Sequence, residues 1–135
     1  MKKLLIYILI LNSLFALSQT ERDTIIMDVE NSIKAYNESD FETLLNYTPK
    51  FIFRYISKEE LIKGYSEKHK PKNIDVNEIN IDTIMTIDSV KYVRFYLKSE
   101  IATYGIKTKK NWTFIELSEM FEKYLPIEIR QTEKK

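Results

Sequence analysis

Pro71 separates two halves of this sequence that follow different hydrophobic periods. Before it, apolar residues recur at three- and four-residue spacings, and after it they alternate. A chain of 135 residues written this way has little choice of architecture. Helices come first and a strand meander follows, so the expected class is α+β, with N-terminal helices packed on an antiparallel sheet. No internal repeat, low-complexity tract or linker divides the chain further, and its length suits one domain.

In the first half, Ile25, Ile26, Val29, Ile33 and Tyr36 form one helical stripe over residues 21–37, ended by Asn37 and Glu38. The stretch "SDFE" at 39–42 has the form of a capping box, with Ser39 receiving the Glu42 amide and Glu42 reaching back. Phe41, Leu44 and Leu45 give the apolar face behind it. "TP" at 48–49 repeats the logic, with Thr48 as N-cap and Pro49 at the first helical position. The following "KFIFRYI" suits a strand by composition and a short helix by its start, and pattern leaves both open. "SKEE" at 57–60 is a second capping box, opening a helix with Leu61, Ile62 and Tyr65 on one face that finishes before Pro71.

In the second half, Ile79, Ile81, Thr83, Met85 and Ile87 alternate with Asn80, Asp82, Ile84 and Thr86, while Ile74 and Val76 fall out of phase and predict a bulge near Asn77 and Glu78. Asp88-Ser89 reads as a turn. In "VKYVRFYLKSEIATY", Val93, Phe95, Leu97 and Ile101 share one face, and Tyr92, Arg94, Tyr96, Lys98 and Glu100 share the other. Gly105 is expected to open a second loop, "KNWTFIEL" to make a third strand, and "SEMFEKYLP" a short helix stopped by Pro126. The tail, 131–135, is expected to fray.

The N-terminus states an address. Met-Lys-Lys is a basic start, Leu4 to Leu17 an apolar core, and Ala16 and Ser18 are the small residues of a cleavage site before Gln19. The apolar run is shorter than the ~20 residues of a spanning helix and is broken by Asn12 and Ser13, so residues 1–18 are read as a cleaved signal peptide that leaves no stable membrane anchor. The expected location is a bacterial periplasm or the secreted fraction. With no cysteine, neither a lipidated cysteine, a disulfide nor a thiolate metal site is available, so the core must hold the exported domain, 19–130, by itself. Formal charge is +1; removing Lys2 and Lys3 leaves 19 of 21 basic residues against 20 acids, near −1. That balance speaks against nucleic acid as a partner.

A first amphipathic helix, "AYNESDFETLLNYTPK", a short helix, a long meander, and "KNWTFIEL" before "EKYLP" together resemble the nuclear-transport-factor-2-like superfamily (a cystatin-like cone), and more closely its small exported bacterial members of unknown function. The resemblance implies a strongly curved antiparallel sheet whose wide end is closed by helices around a cavity. It also favours the helical reading of residues 49–55. In that superfamily one cone serves as isomerase, dehydratase, hydrolase, binding module or dimer, so the fold alone settles no function.

Candidate chemistry is sparse. Asp40, Glu42, Glu59 and Glu60 are explained by helix starts, and Asp82 and Glu100 lie on strand faces read as solvent-directed. The one histidine, His69, shares a helical face with Ile62 and Tyr65 but lacks an orienting carboxylate; it reads first as a last-turn histidine at a helix terminus. No catalytic residue, metal ligand or cofactor motif is identified. The aromatic residues divide into two expected sites. Tyr36, Tyr47, Phe53 and Tyr55, with His69, Trp112 and Phe114, are candidates to line the cone mouth and take an apolar or aromatic small molecule. Tyr92, Arg94 and Tyr96 form an aromatic–arginine stripe on the outer sheet face, suited to a homodimer. The expected role is a non-catalytic small-molecule- or protein-binding module of the envelope; the alternative is a small cavity enzyme of the same superfamily. The lysine runs at 68–72 and 107–110 read as solvated loops.

Overall fold

The computed structural model describes residues 2–98, 101–116 and 123–130. Its first helix, α1 (Lys2–Asn37), carries the expected helix of 21–37 back through the segment read as a leader. The end of α1 is a Schellman turn: the Asp40 amide donates to the Ala35 carbonyl at 2.9 Å and the Ser39 amide to that of Tyr36 at 3.1 Å. Ser39 takes φ 59° there, so it cannot also cap the next helix. The cap of α2 (Phe41–Leu44) is Asp40, whose carboxylate accepts the Thr43 amide at 3.1 Å. The box expected at Ser39 is thus displaced by one residue, because that serine is used up in ending α1.

After a 3-10 turn at Leu45–Tyr47, the ambiguous stretch resolves as a second one, Lys50–Arg54. Pro49, not Thr48, stands at its N-cap, with no side chain capping it. The capping box of α3 (Lys58–Glu67) is present as read: Ser57 Oγ accepts from the Glu60 amide at 3.2 Å, and the Ser57 amide donates to Glu60 Oε2 at 3.0 Å. That bond from the Ser57 amide foremost, and a second from the Ser57 hydroxyl to Glu60 Oε2 at 2.8 Å, hold the Glu60 carboxyl below the usual range.

Four antiparallel strands follow in the order β1 (Ile79–Ile87), β2 (Val90–Leu97), β3 (Ile101–Lys107) and β4 (Trp112–Glu116), forming an open sheet. The irregularity expected near Asn77 is a 3-10 turn, Val76–Glu78, with Asp75 and Glu78 as its capping box. The bulge lies farther on, where pairing passes from Ile81 opposite Phe95 to Thr83 opposite Arg94 and leaves Asp82 as the extra residue. Its effect is to exchange faces. Ile84, opposite Val93, joins Ile79 and Ile81, while Met85, opposite Tyr92, turns to the other side. The expected alternation through Met85 and Ile87 therefore fails beyond Asp82.

Asp88-Ser89 is the expected turn, a two-residue hairpin with φ 48° and 66°, as a type I′ turn requires. The segment expected as one long strand is two, because the chain turns at Lys98, φ 53°. Gly105 is no loop residue: it sits mid-strand between Val93 and Phe114, where an added Cβ would lie 2.6 Å from Val93 Cγ1. The expected helix over 118–126 falls partly outside the described residues, as do Glu100 and the tail at 131–135. Within them, Pro126 starts rather than stops a helix, α4 (Ile127–Arg130), because the Ile129 amide donates to its carbonyl at 3.2 Å.

Two hydrophobic clusters cover the two faces of the sheet. On one, Ile25 and Val29 of α1 meet Ile79, Ile81, Val93, Phe95 and Trp112. On the other, Ile52, Leu125 and Ile129 meet Tyr104 and Ile115. Among the described residues no helix is long and apolar enough to cross a membrane.

Candidate ligand cavity

Helix α1 packs on the sheet through Ile25 and Val29, and toward its C-terminus α2 and α3 take over as neighbours. Between them a cavity of about 380 Å³ is left open. Val29, Ser32, Ile33 and Tyr36 line it from α1, and Leu61, Gly64 and Tyr65 from α3. The sheet contributes Phe95, Leu97, Thr103 and Phe114, and the connections add Leu44, Tyr47, Ile52 and Ile74. The bulge at Asp82 and the bare Gly105 matter here. The first sets which face Ile79 and Ile81 present beside Phe95, and the second lets Phe114 lie edge-on to Phe95 with ring centres 5.6 Å apart.

The end of α1 is tied to the chain after α3 by side chains. Asn37 accepts the Lys72 amide at 2.7 Å and donates to the Lys72 carbonyl at 2.8 Å. His69 Nε2 donates to the Tyr36 carbonyl at 2.8 Å, and its ring lies 4.9 Å from that of Tyr36 and 5.8 Å from that of Phe41. Tyr36 Oη accepts the Lys70 amide at 3.2 Å. These contacts set Lys68 and Lys72 in the cavity wall, with Lys72 Nζ 5.1 Å from the Tyr36 ring centre.

Of the residues expected at the cone mouth, Tyr36, Tyr47 and Phe114 line the cavity. His69 is spent on the α1 terminus, and Trp112 is fully buried in the core. Phe53 lies under Lys58 Nζ at 5.6 Å, and exposed Tyr55 pairs with Tyr124 at 4.8 Å, both outside the cavity lining. Burial, Asp28 nearby and a hydrogen bond with Asn31 act on Tyr47; the first two win and push its hydroxyl above the ordinary tyrosine range. It is a neutral hydrogen-bonding group at physiological pH.

The expected outer stripe is not an open surface. Arg94 is 8% exposed, its Nε donating to Asp82 Oδ2 at 2.6 Å, Nη1 to the Ile129 carbonyl at 3.1 Å and Nη2 to Thr83 Oγ1 at 3.3 Å. Asp82 is exposed, as read, and is also that guanidinium's partner. Tyr92 and Tyr96 are half-buried, and burial and Asp88 raise the Tyr92 hydroxyl.

Three positions in or near the cavity wall escaped sequence reasoning. Thr103 lines the cavity at 3% exposure, and its hydroxyl has no hydrogen-bond partner among the described residues. Lys72, read as part of a solvated loop, is half-buried in the wall. Asp28 is a buried carboxylate whose Oδ2 accepts the Trp112 amide at 2.8 Å, fixing where β4 begins. The helical period places Asp28 one residue before Val29 and so flags nothing unusual about it.

Chemically the wall offers hydroxyls, aromatic rings and two ammonium groups. No carboxylate or histidine lines it among the described residues. Nor do three or more acidic or histidine side chains gather anywhere among them to hold a metal. No protein-family model matches the chain, no curated protein does, and no solved structure does.

Proposed function

We propose that this chain is an exported small-molecule-binding domain of the nuclear-transport-factor-2-like kind, and that the cavity beneath α1 and α3 is its site. The observation that carries the reading is the composition of that wall. It joins apolar and aromatic side chains to a few hydroxyls in a volume of about 380 Å³, within the range of ligand pockets. The wall holds no carboxylate or histidine among the described residues, and no pair of groups in it stands out as an acid and its base. The proposed role is binding, with an apolar or aromatic ligand. Export rests on the Lys-Lys start, the apolar run and the Ala16–Ser18 site. The cone rests on the order of helices before an antiparallel meander, with a cavity at their junction.

Gly64 supplies the test. It faces the cavity from α3, and a Cβ built on it meets nothing within 4 Å. Gly64→Leu is expected to fold normally and to fill the space. Fluorescence titration with the neutral probe N-phenyl-1-naphthylamine should show saturable binding to the natural chain and none to the variant. Absence of binding to the natural chain, or equal binding to both, would overturn the assignment.

A further inference from the structure

A cut after Ser18 leaves Gln19 as the first residue of the exported chain, and glutamine in that position has chemistry that it has nowhere else. The cut falls inside α1 (Lys2–Asn37), so what matters is how the rest of the helix is held without the leader. It is anchored from within the domain. Ile25 is fully buried against the sheet, Val29 lies one turn further on, and Glu21 Oε1 accepts a hydrogen bond from Lys91 Nζ of β2 at 2.6 Å. Ahead of Ile25 the surface is open, with Thr20, Arg22 and Asp23 exposed. The fold thus keeps the helix in place and leaves its new first turn in solvent.

Resting on the export proposed above, we infer that Gln19 is a modification site and that the mature chain begins with pyroglutamate. The α-amino group freed by the cut titrates near neutrality, so part of it is neutral and nucleophilic under physiological conditions. Its nitrogen attacks the side-chain Cδ of the same residue and forms a bond to it. The Cδ–Nε2 bond breaks, and the side-chain amide leaves as ammonia with the proton that the amine gives up. The product is a γ-lactam; nothing is oxidised or reduced, and no co-reactant is consumed. Attack within one residue carries the advantage of proximity. The setting suits it as well. The first backbone N–H groups of a helix have no intrahelical acceptor, so closing the ring on the Gln19 nitrogen takes no hydrogen bond from α1. Closure also removes a positive charge from the positive end of the helix dipole. The outcome is an exposed helix start that aminopeptidases cannot enter, because they require a free α-amino group.

The test uses the chain with its natural leader, taken from the envelope fraction of the cells that make it. Its free amines are labelled by reductive dimethylation in denaturant at harvest. Intact-mass and tandem mass spectrometry should find a chain that starts at residue 19, weighs one ammonia less than the linear form and carries no label on its α-nitrogen. Gln19→Asn, whose closure would need a strained β-lactam, should be cut at the same place, keep its full mass and take the label. A broad-specificity aminopeptidase should then shorten the variant and leave the natural chain whole. A natural chain that starts at residue 19 with a labelled α-amino group overturns the modification and leaves export standing. An amine that is free at harvest and lost only on storage overturns it too, as an effect of handling. A chain that keeps residues 1–18, or is cut elsewhere, overturns the leader and this inference with it.

Discussion

On the face of the sheet turned toward α1, Phe95 and Thr103 border a cavity of about 380 Å³; on the opposite face Arg94, the residue next to Phe95, is closed in by Asp82, Thr83 and the Ile129 carbonyl. The two faces belong to one sheet and to adjacent residues, yet they are finished differently. Beneath α4 the Arg94 guanidinium has each nitrogen answered. Beneath α1 a hydroxyl is left unanswered beside open space. Burial of polar groups without partners is costly, but among the described residues Trp112 Nε1 and Arg130 Nε are left unanswered as well, both away from the cavity lining, so what sets the α1 face apart is the open space.

That contrast breaks first at Arg94. Arg94→Ala strands the Ile129 carbonyl and unpairs Asp82, whose carboxylate side chain is 39% exposed and so recovers part of its hydration. The expected loss is about 3 kcal/mol, the low end for opening a buried ion pair, read as a fall in the urea midpoint. Affinity for N-phenyl-1-naphthylamine, measured where the variant remains folded, should be unchanged. A variant as stable as the natural chain would mean that Arg94 closes nothing.

Gly105 tests the other face. Its Cβ position lies 2.6 Å from Val93 Cγ1 and 3.1 Å from Phe114 Cδ1, and Val93 is fully buried and has no room to yield. Gly105→Ala should cost about 2 kcal/mol by overpacking. Because Phe114 is cavity wall, this variant should lose probe affinity as well as stability, and that pairing distinguishes it from Arg94→Ala.

How much of this was legible in sequence depends on whether a residue's role is local. The Ser57–Glu60 box and the Asp88-Ser89 turn are settled by neighbours within four positions, and both stand as read. The inward face of Val93, Phe95 and Leu97 is also a local pattern. Asp82, by contrast, is an alternating polar residue until β2 supplies the register that makes it a bulge. Gly105 looks like punctuation until Val93 and Phe114 arrive on either side. Arg94 belongs to a solvent-facing stripe until α4 folds over it, and nothing in β2 announces α4. Thr103 is the extreme case, since lack of a partner is a property of the whole fold and leaves no mark in the chain. Tyr36, Tyr47 and Phe114 could be named because aromatic character alone made them candidates.

Each face also carries a tyrosine held neutral by burial, Tyr47 beside the cavity and Tyr92 on the other side. Both hydroxyls lie above the ordinary tyrosine value of 10.0 in the folded chain, so the folded state keeps protons that the unfolded chain gives up. Their stabilisation is complete below pH 10 and is lost as pH rises through the folded values, so unfolding should become easier on the alkaline side. Tyr47→Phe and Tyr92→Phe should each flatten part of that decline in urea melts between about pH 9 and 11.5. Asp28→Asn removes one of the causes acting on Tyr47 alone, and absorbance titration should show the tyrosinate there forming at lower pH. A decline unaffected by either phenylalanine variant would place the alkaline sensitivity elsewhere.

The smallest effects fall at two serines in left-handed backbone, Ser39 at the end of α1 and Ser89 in the β1–β2 turn, at φ 59° and 66°. Glycine reaches that region without the Cβ penalty, at the cost of a more mobile unfolded chain. Type I′ turns favour glycine strongly, as does the residue that closes a Schellman turn. Ser89→Gly and Ser39→Gly should each stabilise by about 0.5–1 kcal/mol, and together by their sum, since the two turns lie in different connections. They also differ in one respect that bears on the site. Ser39 follows the last turn of α1, which carries Tyr36 into the cavity wall and Asn37 onto Lys72, whereas Ser89 adjoins neither. If relief of strain at Ser39 changes N-phenyl-1-naphthylamine affinity while the same relief at Ser89 does not, the end of α1 is set for the ligand at some expense to stability. Equal indifference at both would make the two serines ordinary turn residues and leave the cavity wall defined by packing alone.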